Sequence, residues 1–467
     1  MDRTDTILIY AINRTDAWWK HIGDNLGFTR SVVVTDIRGK GDCDVIDDFY
    51  AAYRRQQALA DVTPGVLSMD EVLDVIARCR LLRWLPPRQA SAMVVAMEHA
   101  FNRVLDRVQP TLVLSFPIDR YVSDVLERLA RHRGIPYLEL TASLISGMSM
   151  LMYRGQLVKT AAPPTAAMVR EQVQTIARPD FTPSYVQTAV RYTKARWWKT
   201  FLYFRLRGVV FKLISWLKRD PLNLHYLDAQ AFLGHKPRMP DRRIVDMVDW
   251  QWRDKLDAFP KERRVFFGLQ LFPEASIDYW LANRELIDYE DLLLEAANAF
   301  SRAGFLVLVK DHPSQFGFRQ CGLLDRLLAL RNVVLLPYEV SGNEAISLVG
   351  SNFTLTGTLG LQAALLGLTS IASPTYYTTP GDFLVFDSRS QLSGLPGQVG
   401  SWPAAPSLEQ RQQRILTHLL QGSFQGNFFS FRGFAADRPD PSARSLAIEL
   451  GRQLRSALGR QGLTTHD

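Results

Sequence analysis

Three short polar stretches follow apolar runs in the second half of the chain. The first, after Val265–Leu269, reads Gln270-Leu271-Phe272-Pro273-Glu274-Ala275-Ser276. The second, after Phe305–Val309, reads Lys310-Asp311-His312-Pro313-Ser314, and the third reads Thr356-Gly357-Thr358-Leu359-Gly360. In the third, two hydroxyls flank a glycine just before a helical run. Free backbone N–H groups and the helix dipole at such a start favour an anion, although Gly357 and Thr358 also suit a plain helix cap. His312 precedes a proline that has no N–H. Its imidazole is either a donor to a phosphate or sugar oxygen, with a charge tunable near neutral pH, or a loop histidine bonded to the backbone. Gln270 and Glu274 have side chains suited to sugar or ribose hydroxyls, and equally to an ordinary polar loop.

These stretches need a scaffold that brings them to one edge, and the pattern around them supplies it. Apolar β-rich runs at 264–269, 305–309, 332–336, 352–356 and 369–372 alternate with helical runs at 286–302, 321–330, 343–349 and 359–366. Continuous apolar strands separated by helices predict a doubly wound parallel sheet, with ligands beyond the carboxyl ends of its strands. The first half alternates in the same way, with strands expected at 6–10, 31–35, 111–115 and 135–140. We expect an α/β protein with residues 1–245 as a first α/β domain, 246–422 as a second that binds the ligand, and 423–467 as a tail with a helix that packs back on the first.

Composition narrows the function classes. The chain has 467 residues, 47% hydrophobic and 22% charged, which excludes a disordered or fibrous chain. Three separated cysteines, Cys43, Cys79 and Cys321, argue for a reducing compartment and against a cysteine zinc site. No leader-like start and no apolar run of spanning length are present, so a cytoplasmic protein is expected. Asp42-Cys43-Asp44 has a metal-compatible spacing, and Gly39-Lys40-Gly41 is a fragment of a phosphate loop; both are weak signals. No metal and no resident cofactor are expected.

The net charge of +8 is concentrated. Within about 181–235, residues 181–219 contain no acid and nine basic residues, interleaved with aromatics. Lys194, Arg196, Trp197, Trp198, Lys199, Arg205 and Arg207 suit an anionic membrane surface. The same composition suits nucleic acid, or a solvated helix with packed aromatics; nucleic acid is the reading we set aside.

Lys-Asp-His-Pro, the Gln and Pro-Glu after a Phe-rich strand, and Thr-Gly-Thr-Leu-Gly-Leu-Gln-Ala-Ala-Leu-Leu-Gly at 356–367 resemble bacterial capsular and surface polysaccharide biosynthesis glycosyltransferases of the two-domain GT-B class. Pro374-Thr375-Tyr376-Tyr377 with Pro380-Gly381 is similar to the same group. The resemblance implies two Rossmann-like domains facing a central cleft. It implies a nucleotide-sugar substrate, a lipid-linked or polysaccharide acceptor, and a place at the inner membrane face, with other capsule assembly proteins as partners. His312, Thr356, Gly357 and Thr358 are then associated with the nucleotide phosphate, and Gln270, Glu274, Ser276, Lys310, Pro313, Ser314 and Gln362 complete the donor side. Related proteins often carry Glu at the position of Gln362. A protonated His312 would stabilise charge on the leaving phosphate without a metal, and Asp119, with Glu139 as second choice, would deprotonate the acceptor. The alternatives are a nucleotide-sugar epimerase of the same architecture and a non-catalytic subunit of a capsule assembly or export complex.

Overall fold

A computed structural model describes residues 5–181, 192–223, 238–272, 274–402, 407–427 and 441–461. The strands are β1 Thr6–Ala11, β2 Arg30–Thr35, β3 Cys43–Asp44, β4 Leu112–Ser115, β5 Tyr137–Ala142, β6 Met148–Tyr153, β7 Gln156–Leu157, β8 Arg264–Gly268, β9 Leu306–Lys310, β10 Val333–Leu335, β11 Ser351–Phe353, β12 Thr369–Ala372, β13 Leu384–Val385 and β14 Ser423–Gln425. They form two sheets in two compact units. The first unit comprises Met1–Pro164, Leu222–His225 and Leu419–Asp467; the second comprises Thr165–Pro221 and Tyr226–His418. The division drawn by the contacts thus differs from one at residue 245: residues 165–221 group with the second unit.

In the first unit the order is β14-β6-β5-β4-β1-β2-β3, with β7 on β6. β1, β2, β3, β4 and β5 run parallel. All six residues of β1 are buried, as a central parallel strand covered on both faces requires. β6 and β14 add antiparallel strands. Trp18, Trp19 and Ile22 of the helix Asp16–Asn25 share a core with Leu446, Leu450 and Leu454 of the helix Pro441–Gln461.

In the second unit the order is β10-β9-β8-β11-β12-β13, all parallel. The chain builds outward from β8 through β9 to β10, then crosses to β11 and continues through β12 to β13. β8 therefore stands at the reversal of strand order, where open α/β sheets bind ligands. Phe266, Leu308, Val334 and Ala363 lie in one core under its helices. Both units are doubly wound and Rossmann-like, the two-unit composition of the GT-B class.

Candidate functional site

The three polar stretches emerge from the carboxyl ends of β9, β8 and β11, which are adjacent strands. Gln270 joins two of them. Its Nε2 donates to Thr356 Oγ1 at 2.9 Å, and its Oε1 accepts from Leu355 N at 3.2 Å and Thr356 N at 3.1 Å. The residue is buried and its amide oxygen is taken up by the loop beyond β11, so Gln270 positions the two loops. Gln315 ties the remaining pair: its Oε1 accepts from Phe272 N at 3.1 Å and its Nε2 donates to Phe272 O at 2.9 Å.

Under the second stretch lies a buried ion pair. Arg319 Nε donates to Asp311 Oδ1 at 2.6 Å, with side chains only 2% and 1% exposed. The Tyr338 hydroxyl donates to the other carboxylate oxygen, and Arg319 also donates to Gln270 O at 3.0 Å. A buried charge pair persists only when its remaining bonding capacity is satisfied, and here both partners are. Asp311 also accepts from His312 N at 2.9 Å. The pair thereby fixes the backbone that presents His312.

His312 caps the short turn Pro313–Gln315, its Nδ1 accepting from Ser314 N at 3.1 Å. Nδ1 therefore carries no proton, and the proton of a neutral ring sits on Nε2, which no described residue engages. Burial pushes the imidazole below its ordinary value, aided by the Lys310 and Arg319 charges and opposed by Asp311. Burial thus favours the neutral ring in the ligand-free protein, whereas the protonated His312 expected from the sequence belongs to the step in which charge grows on a bound phosphate. Pro313 is half-buried at the first position of the turn and Ser314 is exposed. Lys310 is buried, and burial lowers its ammonium to about 8.

The third stretch leads into the helix Thr358–Leu365. Gly357 N donates to Thr354 Oγ1 at 3.1 Å, and the Tyr377 hydroxyl donates to Gly357 O at 2.8 Å. A Cβ on Gly357 would lie 2.6 Å from Thr354 Oγ1, so only glycine fits this approach. Among the described residues the N–H groups of Thr358 and Leu359 have no acceptor and head the helix. Gln362 is turned to its own chain: its Nε2 donates to Phe181 O at 2.9 Å, beside Asn343 Nδ2 at 2.8 Å from the same oxygen. Glu274 is half-buried and heads the helix Ala275–Asp278, in which Ser276 is buried; Pro273 lies outside the described residues.

In the first unit Asp119 follows β4, and both its oxygens accept from Arg120, at 2.9 and 3.1 Å. Glu139 lies within β5, fully buried; burial raises its carboxyl to about 7. Its Oε1 accepts from Arg154 N at 2.8 Å while its Oε2 has no partner. Asp42 and Asp44 are occupied by Val33 N and by Gly39 N and Ile46 N, so each serves its own loop. Among the described residues no group of three metal-ligating side chains occurs.

The basic aromatic stretch forms the helix Lys194–Leu217 of the second unit. Trp197 is completely buried against Trp198 and Phe201, so its ring is not available to a membrane. Arg196 and Arg207 lie over Tyr192 and Phe211, while Lys199 and Arg205 are exposed and Lys194 pairs with Asp246 at 3.1 Å.

Sequence reading did not assign roles to Arg319, Tyr338, Tyr377 or Asn343. Asp311, next to His312, carried a signal; the others are recognisable only once distant elements meet.

No family model and no curated protein matches the sequence. Among solved structures the fold is similar to the Thermosulfurimonas dismutans KpsC beta Kdo 2,4 transferase, at 14% identity and TM-score 0.33, covering 73% of this chain and 87% of that one. It is similar to a UDP-N-acetylglucosamine 2-epimerase from Rickettsia bellii, at 12% identity and TM-score 0.29, covering 98% of each. It is also similar to a glycosyltransferase from Rickettsia africae, at 8% identity and TM-score 0.27, covering all of both chains.

Proposed function

We propose that the protein is a metal-independent glycosyltransferase that moves a sugar from a nucleotide-sugar donor to a growing surface polysaccharide or lipid-linked acceptor, at the anionic inner face of a bacterial membrane. One observation carries the reading. At the reversal of strand order in the second unit, a neutral imidazole with an unengaged Nε2–H and a helix start with two unengaged N–H groups flank the end of β8. Their strands are two spacings apart, about 10 Å, a span that a nucleoside phosphate covers.

When the sugar leaves, negative charge grows on the phosphate. The Nε2–H of His312, the N–H groups of Thr358 and Leu359, the Thr358 hydroxyl and the Lys310 ammonium are fixed donors for that charge. Gln270, Asp311, Arg319 and Tyr377 hold them in place and do not touch the ligand. The acceptor hydroxyl must lose a proton, and Asp119 is proposed as the base.

The test is a thermal shift with CMP, UDP and GDP sugars, followed by transfer of labelled sugar to an acceptor glycolipid. A ligand at one hundred times its dissociation constant stabilises the fold by about 2.7 kcal/mol. Binding with conversion of the donor to an isomer and no transferred label would identify an epimerase; no stabilisation by any nucleotide sugar would overturn the reading.

A further inference from the structure

The helix Lys194–Leu217 has two unlike faces. Its inner face is seated in the second unit: Trp197 and Ser215 are buried, and Phe204 packs on Phe318 with ring centroids 4.8 Å apart. Gly317 lets the helix close in, since a Cβ there would lie 2.8 Å from Thr200 Cβ, and its φ of +76 would strain any other residue.

The opposite face is apolar and uncovered. Leu202, Leu206, Val209, Val210, Leu213 and Trp216 are 51–72% exposed. At 3.6 residues per turn they form one stripe about 21 Å long. A soluble surface scatters such residues singly; a continuous stripe marks a docking face. Its borders are basic: Lys194, Arg205 and Lys212 fall on one helical edge, Arg207 and Lys218 on the other. The stretch 181–219 contains no acid. Among the described residues no helix is long and apolar enough to cross a membrane.

We propose that this helix lies in the plane of an anionic lipid surface, with the Leu206–Leu213 stripe inserted among the acyl chains and the flanking Lys and Arg at the lipid headgroups. The occupant is lipid because the charge is complementary to anionic headgroups on both borders while the centre is wholly apolar. The proposal deepens the membrane reading above and replaces Trp197 with Trp216 as the inserting aromatic. It does not depend on sugar chemistry: nucleotide binding and vesicle binding are separate measurements, so either can fail alone.

The experiment uses the full chain with sedimenting vesicles of phosphatidylglycerol and phosphatidylethanolamine, against phosphatidylcholine alone. The wild type is expected in the pellet with the anionic vesicles, partly released by salt, and with Trp216 emission quenched by brominated acyl chains. Replacing Leu206, Val209 and Leu213 with Gln is expected to lower partitioning by about tenfold or more. These side chains are exposed, so an unchanged melting temperature confirms folding; should that variant misfold, loss of quenching in Trp216→Phe is the independent reading. Wild-type protein that stays in the supernatant, a stripe variant that binds undiminished, or a dimer that dissociates in the variant without vesicle binding would each overturn the proposal.

Discussion

Gln270 and Thr356 are bonded twice across two strand ends, side chain to side chain at 2.9 Å and Gln270 Oε1 to Thr356 N at 3.1 Å. A single amide thus sets the spacing of the loops beyond β8 and β11, and everything the site presents inherits that spacing.

Gln270→Ala leaves the buried N–H groups of Leu355 and Thr356 without their acceptor. An unsatisfied buried donor costs about 1–3 kcal/mol, so the melting temperature should fall and nucleotide-sugar affinity with it. Wild-type stability in this variant would show that the clasp is dispensable.

His312→Ala removes the Nε2 donor and the cap on Ser314. The turn is short and half exposed, so the protein should still fold while turnover falls by roughly a hundredfold or more, the effect of losing one donor to developing charge. His312→Gln, which keeps a donor, should recover part of that loss. Equal turnover in all three proteins would remove His312 from the mechanism.

Burial lowers Lys310 to about 8. Burial therefore opposes its charged form, and the free protein gains stability as pH rises from that value toward 10.5. A phosphate beside the ammonium would favour the charged form again. Nucleotide binding should then take up protons near pH 8, seen calorimetrically as heats that vary with the buffer's ionisation enthalpy, and the effect should vanish in Lys310→Met. Buffer-independent heats in the wild type would place Lys310 away from the phosphate.

Glu139 has its carboxyl raised by burial to about 7 from 4.5. The folded chain binds this proton more tightly than the unfolded one. The stabilisation is complete below 4.5 and disappears as pH rises through about 7, a swing of about 3 kcal/mol. Glu139→Gln should flatten the pH dependence of urea unfolding between roughly pH 4.5 and 7, the interval in which the folded and unfolded chains differ in bound protons. Parallel pH profiles for variant and wild type would contradict this.

Gly360→Ala places a Cβ 2.7 Å from the Tyr377 hydroxyl and 2.8 Å from Thr354 Cγ2. Tyr377 caps Gly357 O, so displacing it loosens the helix start. Overpacking of this kind costs about 1–3 kcal/mol; denaturant unfolding of the variant checks it, and Tyr377→Phe should weaken ligand binding with a smaller loss of stability.

Much of the fold was legible because parallel strands covered on both faces must be continuously apolar. Thr6–Ala11, Arg264–Gly268 and Leu306–Lys310 announce themselves in that way, and the helix Thr358–Leu365 is flagged by Gly357. The edge strands were not legible. Met148–Tyr153 gains its meaning from Ser423–Gln425, far along the chain, and three residues of edge strand carry no periodicity. The positions of His312, just beyond a strand end, and of Thr358, at a helix start, were legible from residue type and place. The role of Gln270 was not, since an amide beside a strand end looks the same whether it meets a ligand or a backbone 86 positions away. Trp197 misled for a related reason: an aromatic among basics gives no sign of which helical face it occupies.

The pairing of β14 with β6, and the packing of Pro441–Gln461 on Asp16–Asn25, bear on how the polypeptide matures. The amino-terminal lobe is finished by stretches synthesised after the entire other lobe. During translation its early sheet must wait with one edge bare and the two indoles of Trp18 and Trp19 short of their final neighbours. The other lobe has all its strands available sooner, so it is positioned to fold first, and chaperone demand should peak while the amino-terminal one is held open.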